Sequence, residues 1–163
     1  MDQKLHAYIG LGSNLRQPAA EIKCALKKLA DIEQTTVEAH SSLYVSPPMG
    51  PPNQPDYVNA VAALSTALSA QQLLGKLQAI ETAQGRVRDG TRWGPRIIDL
   101  DLLVFGSLCV EQPGLTVPHP GLANRAFVLV PLAEIAPDLK VPKFGEVGEL
   151  VNALGEFELE RLT

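Results

Sequence analysis

The sequence has no uninterrupted apolar run of membrane-spanning length, so no transmembrane helix is expected. Its first residues, MDQKLHAYIGLG, lack a basic region followed by an apolar run and a cleavage site. No signal peptide is expected, and a cytoplasmic location follows. Cysteine is scarce. Cys24 and Cys109 show neither metal-binding nor redox spacing, which favours two unpaired thiols in a reducing compartment. Cys24 falls with Lys27 and Lys28 on a helical wheel, away from the apolar stripe. Aromatic residues make up only 5% of the chain and the net charge is −4, so a general binder of nucleic acid or membrane surface is disfavoured. Repeats, low-complexity tracts and interdomain linkers are absent. The 163 residues, 45% of them hydrophobic and 20% charged, suit one soluble globular domain with a real core.

Positive charge is scarce overall but concentrated in one stretch. Four of the seven arginines, Arg86, Arg88, Arg92 and Arg96, lie within eleven residues, around the only tryptophan, Trp93. Gly85, Gly90, Gly94 and Pro95 keep this part out of a helix or strand interior. It leads into IIDLDLLVF, whose β-branched and apolar content reads as a strand. Side chains alternate along a strand. Asp99 and Asp101 therefore share one face, and Ile98, Leu100, Leu102 and Val104 the other. Two carboxylates on one face can hold Mg²⁺, which takes oxygen ligands and leaves positions for substrate phosphates. Guanidinium groups just before them suit a polyphosphate. The competing reading is an exposed face whose charges are balanced by nearby arginines.

Lys4–Leu11 reads as a first strand. Gly10-Leu-Gly12-Ser13-Asn14 weakly imitates a dinucleotide fingerprint, but Leu15 stands where a third glycine belongs, and a tight turn is the better reading. A helix follows from Pro18 to about Ala30, with Ile22, Ala25, Leu26 and Leu29 on one face. Thr35–Ser46 alternates as one strand, with His40 exposed. Five prolines in the nine residues 47–55 then end it, as a plain connection or as a stiff wall beside a site. Asp56–Thr66 is the next strand, with Tyr57, Asn59, Val61 and Ala63 on one face. Tyr57 and Asn59 suit a flat ring, by stacking and by edge hydrogen bonds; an edge tyrosine and a turn asparagine read equally well.

Ser69–Gln84 is a helix with Ala70, Leu73, Leu74, Leu77 and Ile80 as its apolar stripe. Glu81 falls inside that stripe. A carboxylate there must find a partner, either one of the following arginines or a ligand. After the central strand, Gly106-Ser107 suggests a hairpin turn with Leu108–Val110 returning. Leu115–Pro120 is extended by its prolines; His119 reads as a packing or capping residue or as a phosphate contact. An amphipathic helix runs from Asn124-Arg125-Ala126-Phe127 through Glu134. A short helix near Glu149–Leu154 and a strand near Phe157–Leu162 end the chain. The β-α-β-β-α-β order gives a ferredoxin-like α+β fold: a mostly antiparallel sheet, two main helices on one face, C-terminal additions, and the other face free for a site.

The combination of motifs is specific. Tyr8-Ile-Gly-Leu-Gly-Ser-Asn14, Asp56-Tyr-Val-Asn59, Gly85-Arg-Val-Arg88, Arg92-Trp-Gly-Pro-Arg96, Asp99-Leu-Asp101, Val117-Pro-His119 and Asn124-Arg-Ala-Phe127 together resemble the 6-hydroxymethyl-7,8-dihydropterin pyrophosphokinases of folate biosynthesis. The likeness covers nearly the whole chain, read as a single catalytic domain over 1–163. It implies transfer of a diphosphate from ATP to the pterin hydroxymethyl group with release of AMP. Asp99 and Asp101 would bind two Mg²⁺ ions. Arg86 and Arg96 would act on the phosphates, Arg86 on loop closure. Gln78, Glu81, Arg88, Trp93, Thr116, His119 and Arg125 match positions that bind ATP or close the loop. Tyr57 and Phe127 would stack on the pterin and Asn59 read its edge, with Ser46, Pro47, Met49 and Trp93 beside it. Gly114 and Pro120 depart from the pattern of some relatives on the nucleotide side. A monomer is expected, with no nucleic-acid or membrane partner. The rival is an RNA-binding or small-molecule-binding module of the same fold; two aspartates on the sheet face would repel RNA, and a regulatory domain has no need of the arginine loop.

Overall fold

The computed structural model describes residues 4–14, 17–47, 55–85 and 98–162. A six-stranded sheet forms its centre. The strands are β1 (Leu5–Ser13), β2 (Thr35–His40), β3 (Tyr44–Ser46), β4 (Tyr57–Thr66), β5 (Asp99–Phe105) and the late β10 (Glu160–Arg161). Their order is β10-β3-β4-β1-β5, with β2 also on β4, and every pairing is antiparallel. This is the ferredoxin-like α+β arrangement.

Helices α1 (Pro18–Ala30) and α2 (Ala70–Ala83) cover one face. Pro18 occupies the first turn of α1, where its missing N–H costs nothing, and Ile22, Ala25 and Leu29 are buried. Ser69 caps α2 in a capping box: its Oγ accepts from Gln72 N at 3.1 Å, and Gln72 Oε1 accepts from Ser69 N at 2.9 Å. Leu73, Leu77 and Ile80 meet Ile9, Leu11, Ala60, Ala62 and Leu100 in the first core. Among the described residues no helix is long and apolar enough to cross a membrane. Both cysteines are free and exposed, as is His40.

The sheet departs from the sequence expectations in four places. Gly10–Asn14 is not a tight turn: β1 runs on to Ser13, because it is a central strand paired on both sides, to Val58 and Asn59 and to Asp99. Thr35–Ser46 is two strands, not one. Ser41 interrupts them; its Oγ accepts from Val61 N at 2.9 Å and donates to Ser42 O at 2.7 Å, which displaces the regular ladder. In β5 the pairing slips between Tyr8 and Ile9, so Ile9 faces Leu102 while Tyr8 faces Val104, leaving Leu103 as an extra residue. Val104 therefore turns to the face opposite Leu102, against simple alternation. Finally, the return after Gly106 does not pair with β5. Val110–Gln112 (β6) instead pairs with Leu115–Val117 (β7) as a separate ribbon.

The second face is not wholly free. Helix α3 (Ala126–Ile135) and α4 (Val147–Asn152) lie over part of it, burying Val128, Leu129, Leu132 and Val147 against Val61, Leu103 and Val104. The small pair β8 (Lys140–Val141) and β9 (Gly145–Glu146) joins the two helices. The C-terminal strand is only Glu160–Arg161, paired to β3. Helix α3 is tied to the sheet at its far end: Glu134 accepts from Tyr44 Oη at 2.5 Å, from Ser42 N at 3.0 and 3.1 Å, and from Ser42 Oγ at 3.1 Å. The uncovered half of this face, beside the N-terminus of α3, is where the candidate site lies.

Candidate functional site

The floor of the pocket is a strip without side chains. Gly10 and Gly12 alternate onto the second face of β1. Gly12 stands between Asn59 on β4 and Asp99 on β5, and Gly10 stands between Val61 and Asp101. With adjacent strands about 4.8 Å apart, the backbones of Asn59 and Asp99 are roughly 10 Å apart across the glycine. A Cβ on Gly12 would stand 3.5 Å from Asn59 Oδ1 and 3.7 Å from Tyr57 Cδ1. The glycines thus keep a flat trough open between an amide and a pair of carboxylates. Glycine inside a strand is a known sign of close approach. In sequence the same glycines predict a turn, and neither stands among the predicted site residues.

One wall comes from β4 and β3. Asn59 is only 4% exposed. Its Nδ2 donates to Ser46 Oγ at 2.8 Å, and Tyr44 O lies 3.5 Å away. The amide is held so that Oδ1 faces the trough as an acceptor. Tyr57 pairs across the sheet with Ser46, and Tyr57 and Pro47 both line the pocket. Asn14 Nδ2 donates to Pro55 O at 3.1 Å, fastening the approach to β4 onto the end of β1.

The opposite wall is β5. Asp99 and Asp101 share one face, as alternation requires, and both line the pocket. Beneath them, from the helix-covered side, Glu81 Oε2 accepts from Leu100 N at 2.9 Å. Glu81 is 2% exposed. Helical periodicity flags this carboxylate as misplaced but does not indicate a strand amide as its partner. The roof is the start of α3, where Arg125, Phe127 and Val128 line the pocket. The Arg125 guanidinium lies 5.9 Å from the centroid of the Phe127 ring, within cation–π range.

His119 sits behind Arg125. Its backbone N donates to Leu103 O at 2.8 Å, and its Nδ1 accepts from Gly121 N at 3.0 Å. That bond requires an unprotonated Nδ1, so the neutral ring carries its proton on Nε2. Burial lowers the pKa of His119, the Arg125 charge lowers it further, and Asp99 partly opposes both. The neutral ring is accordingly favoured.

The structure thus brings Ser46, Pro47, Tyr57, Asn59, Asp99, Asp101, Arg125 and Phe127 to one pocket, with His119 adjoining. Gln78 on α2 and Thr116 on β7 are exposed and outside its lining. Met49, Arg86, Arg88, Trp93 and Arg96 lie outside the described residues. Among the described residues no group of three or more His, Cys, Asp or Glu side chains is placed to hold a metal. Two carboxylates fit Mg²⁺ all the same, because this ion is commonly held by one or two carboxylates plus substrate phosphates and water rather than by a closed protein cage.

Residues 8–137 match the family described as 7,8-dihydro-6-hydroxymethylpterin-pyrophosphokinase. A Pseudomonas aeruginosa protein named 2-amino-4-hydroxy-6-hydroxymethyldihydropteridine pyrophosphokinase is 50% identical over 155 residues, 95% of each chain. A Haemophilus influenzae protein of the same name is 47% identical over 156 residues, covering 96% of this chain and 97% of that one. The crystal structure of wild-type Plasmodium falciparum HPPK-DHPS superposes with a TM-score of 0.73 at 14% identity, over 93% of this chain. This chain spans 45% of the Plasmodium one, and at that identity the likeness speaks for the fold alone.

Proposed function

The chain belongs to the 7,8-dihydro-6-hydroxymethylpterin-pyrophosphokinase family, and from that premise we propose how its own residues carry out diphosphate transfer from ATP to 6-hydroxymethyl-7,8-dihydropterin in folate biosynthesis. The hydroxymethyl oxygen attacks the β-phosphorus of ATP. A new O–P bond forms, the bond between the β-phosphorus and the oxygen bridging to the α-phosphorus breaks, and AMP leaves with that electron pair. The hydroxyl proton passes to solvent.

The observation that carries this reading is the trough itself: an oriented amide acceptor, a glycine floor and two carboxylates on one face of the sheet. Asn59 Oδ1 accepts from an N–H on the pterin edge. Tyr57 and Phe127, one on the sheet and one on α3, hold the ring between them. Such a ring reaches from Asn59 towards Asp99 and Asp101, which puts its hydroxymethyl end beside the carboxylates. Asp99 and Asp101 would hold Mg²⁺, two ions in this reading, and the ions would supply charge neutralisation to the phosphates. Arg125, the neutral His119 and, from outside the described residues, Arg86, Arg88, Trp93 and Arg96 serve the triphosphate, with Gln78 and Thr116 on the nucleotide side. Positioning and charge neutralisation account for most phosphoryl-type catalysis, so no general base is assigned. The RNA-binding alternative is not favoured, since Asp99 and Asp101 stand in the pocket beside its aromatic residues and would repel an RNA backbone. We read 1–163 as one catalytic unit, a monomer in the reducing cytoplasm; its two exposed free thiols support the compartment.

The test is incubation with Mg²⁺, ATP and the reduced pterin. AMP is expected as the nucleotide product, and Asp99→Asn or Asp101→Asn is expected to lower turnover by roughly a hundredfold to a thousandfold, the scale of losing preorganised charge stabilisation. ADP as product, or full turnover in either variant, rejects the reading.

A further inference from the structure

Glu81 is a carboxylate with no obvious place in an apolar helix stripe. It lies near the C-terminal end of α2, one residue past the buried Ile80. It does not line the pocket. One of its carboxylate oxygens accepts a hydrogen bond from the main chain of Leu100, the one residue between Asp99 and Asp101.

The location matters because β5 is the last strand on its side of the sheet. Its other edge has no neighbouring strand among the described residues. In an antiparallel ladder, alternate residues bond to the partner strand and the residues between them turn their N–H groups away. Leu100 sits opposite Leu11, and its N–H goes to Glu81 on α2 rather than to β1. Asp99 and Asp101 face Gly12 and Gly10 on β1. The strand is therefore held from two sides at three consecutive residues. An edge strand otherwise presents such N–H groups without a ladder partner, and proteins commonly cover them with a helix or loop. A buried bond to a carboxylate is charge-assisted and stronger than a neutral one.

We propose that Glu81 is a positioning residue that sets the spacing and direction of Asp99 and Asp101 by clamping the Leu100 amide between them. This role acts through the main chain and is separate from the nucleotide contact that the family resemblance implies for the position. Groups that orient metal-binding side chains without meeting the ion commonly change metal affinity or activity by roughly tenfold to a hundredfold. The inference rests on the metal-holding role proposed for Asp99 and Asp101.

The test compares Glu81→Gln, which keeps an acceptor for the Leu100 amide, with Glu81→Leu, which keeps volume and removes the acceptor. Amide exchange at Leu100 by NMR reads the clamp directly. Mn²⁺ binding in the presence of α,β-methylene-ATP, followed by electron paramagnetic resonance, reads the carboxylate pair. In Glu81→Gln, Leu100 is expected to stay protected, with Mn²⁺ affinity within about threefold of wild type. In Glu81→Leu, Leu100 is expected to exchange at least about tenfold faster and Mn²⁺ affinity to fall roughly tenfold to a hundredfold, with pterin affinity held. Unchanged Mn²⁺ affinity in Glu81→Leu overturns the proposal. So does a loss in Glu81→Gln as large as in Glu81→Leu, which would assign the effect to charge or to direct nucleotide contact. If the leucine variant does not fold, the glutamine variant decides alone, by retention or loss of both signals. Wild-type protein that made no AMP would reject the functional reading and leave the exchange result standing.

Discussion

Asn59 offers the sharpest separation between the two substrates. Its amide is fixed at one end, where Nδ2 meets Ser46 Oγ at 2.8 Å, and presents Oδ1 over Gly12 at the other. Asn59→Ala removes the acceptor and leaves the N–H on the pterin edge without its partner. A buried hydrogen bond lost in this one-sided way costs about 1.5–3 kcal/mol. At tenfold for each 1.4 kcal/mol, kcat/KM for the pterin should fall roughly tenfold to a hundred-and-fiftyfold. Ser46→Ala is a gentler change. It keeps Oδ1 but frees the amide to rotate, so about 0.5–1.5 kcal/mol is at stake, a drop of roughly twofold to tenfold. The carboxylates lie roughly 10 Å away across two strand spacings, so KM for ATP should hold in both variants. The assay is steady-state AMP formation with each substrate varied in turn. The reasoning fails if Asn59→Ala alters both substrates equally, or if Ser46→Ala matches Asn59→Ala, which would make the serine rather than the amide the recognition group.

Two further outcomes follow from the same geometry. Gly12→Ala should leave the thermal midpoint within a few degrees of wild type, because an added Cβ meets only ordinary contacts at 3.5 and 3.7 Å. It should nevertheless raise KM for the pterin by roughly tenfold or more, since a methyl group on the floor stands where the ring must lie; an unchanged KM places the ring elsewhere. Burial pushes the Glu134 carboxyl up, but bonds from Tyr44 and Ser42 and the Arg161 charge outweigh it and leave its pKa below the ordinary value. Burial, and after it the same contact, pushes the Tyr44 hydroxyl up to about 12. A depressed carboxyl pKa contributes stability that is present above the unfolded value and lost as pH falls through the folded one. Glu134→Gln should therefore be destabilised near neutral pH and show a shallower loss of thermal midpoint on acidification than wild type; parallel curves would show that the contact does not hold α3.

The elements with strong periodicity were legible: α1, α2, β4 and β5 sit within a residue or two of their expected bounds. Alternation also placed Asp99 with Asp101 and Tyr57 with Asn59, and the strand order brought the two pairs to one face. What periodicity could not show was anything set by a side chain acting on distant backbone. Ser41 breaks a strand by bonding to Val61, and Glu81 reaches Leu100 nineteen residues away. Short C-terminal pieces such as β8, β9 and β10, each two residues long, carry no period at all. The glycines of β1 were visible but misassigned, because a tight turn and a side-chain-free sheet floor ask for the same residue.

The bulge at Leu103 explains how one sheet face serves two purposes. Before it, β5 alternates regularly and turns Asp99 and Asp101 to the second face. At it, the extra residue lets Leu103 and Val104 both join the core beneath α3. A bulge re-aims side chains at little cost to the rest of the ladder. The same strand thus supplies a polar wall at one end and an apolar seat for α3 at the other. Seating α3 there, with Glu134 tied to Tyr44 and Ser42 at its far end, fixes where its first residues fall. Those residues are Arg125 and Phe127, and they fall over the glycine floor. The roof of the site is therefore placed by packing that begins at the register slip in β5, and a change that removed the bulge should move the roof before it disturbed either aspartate.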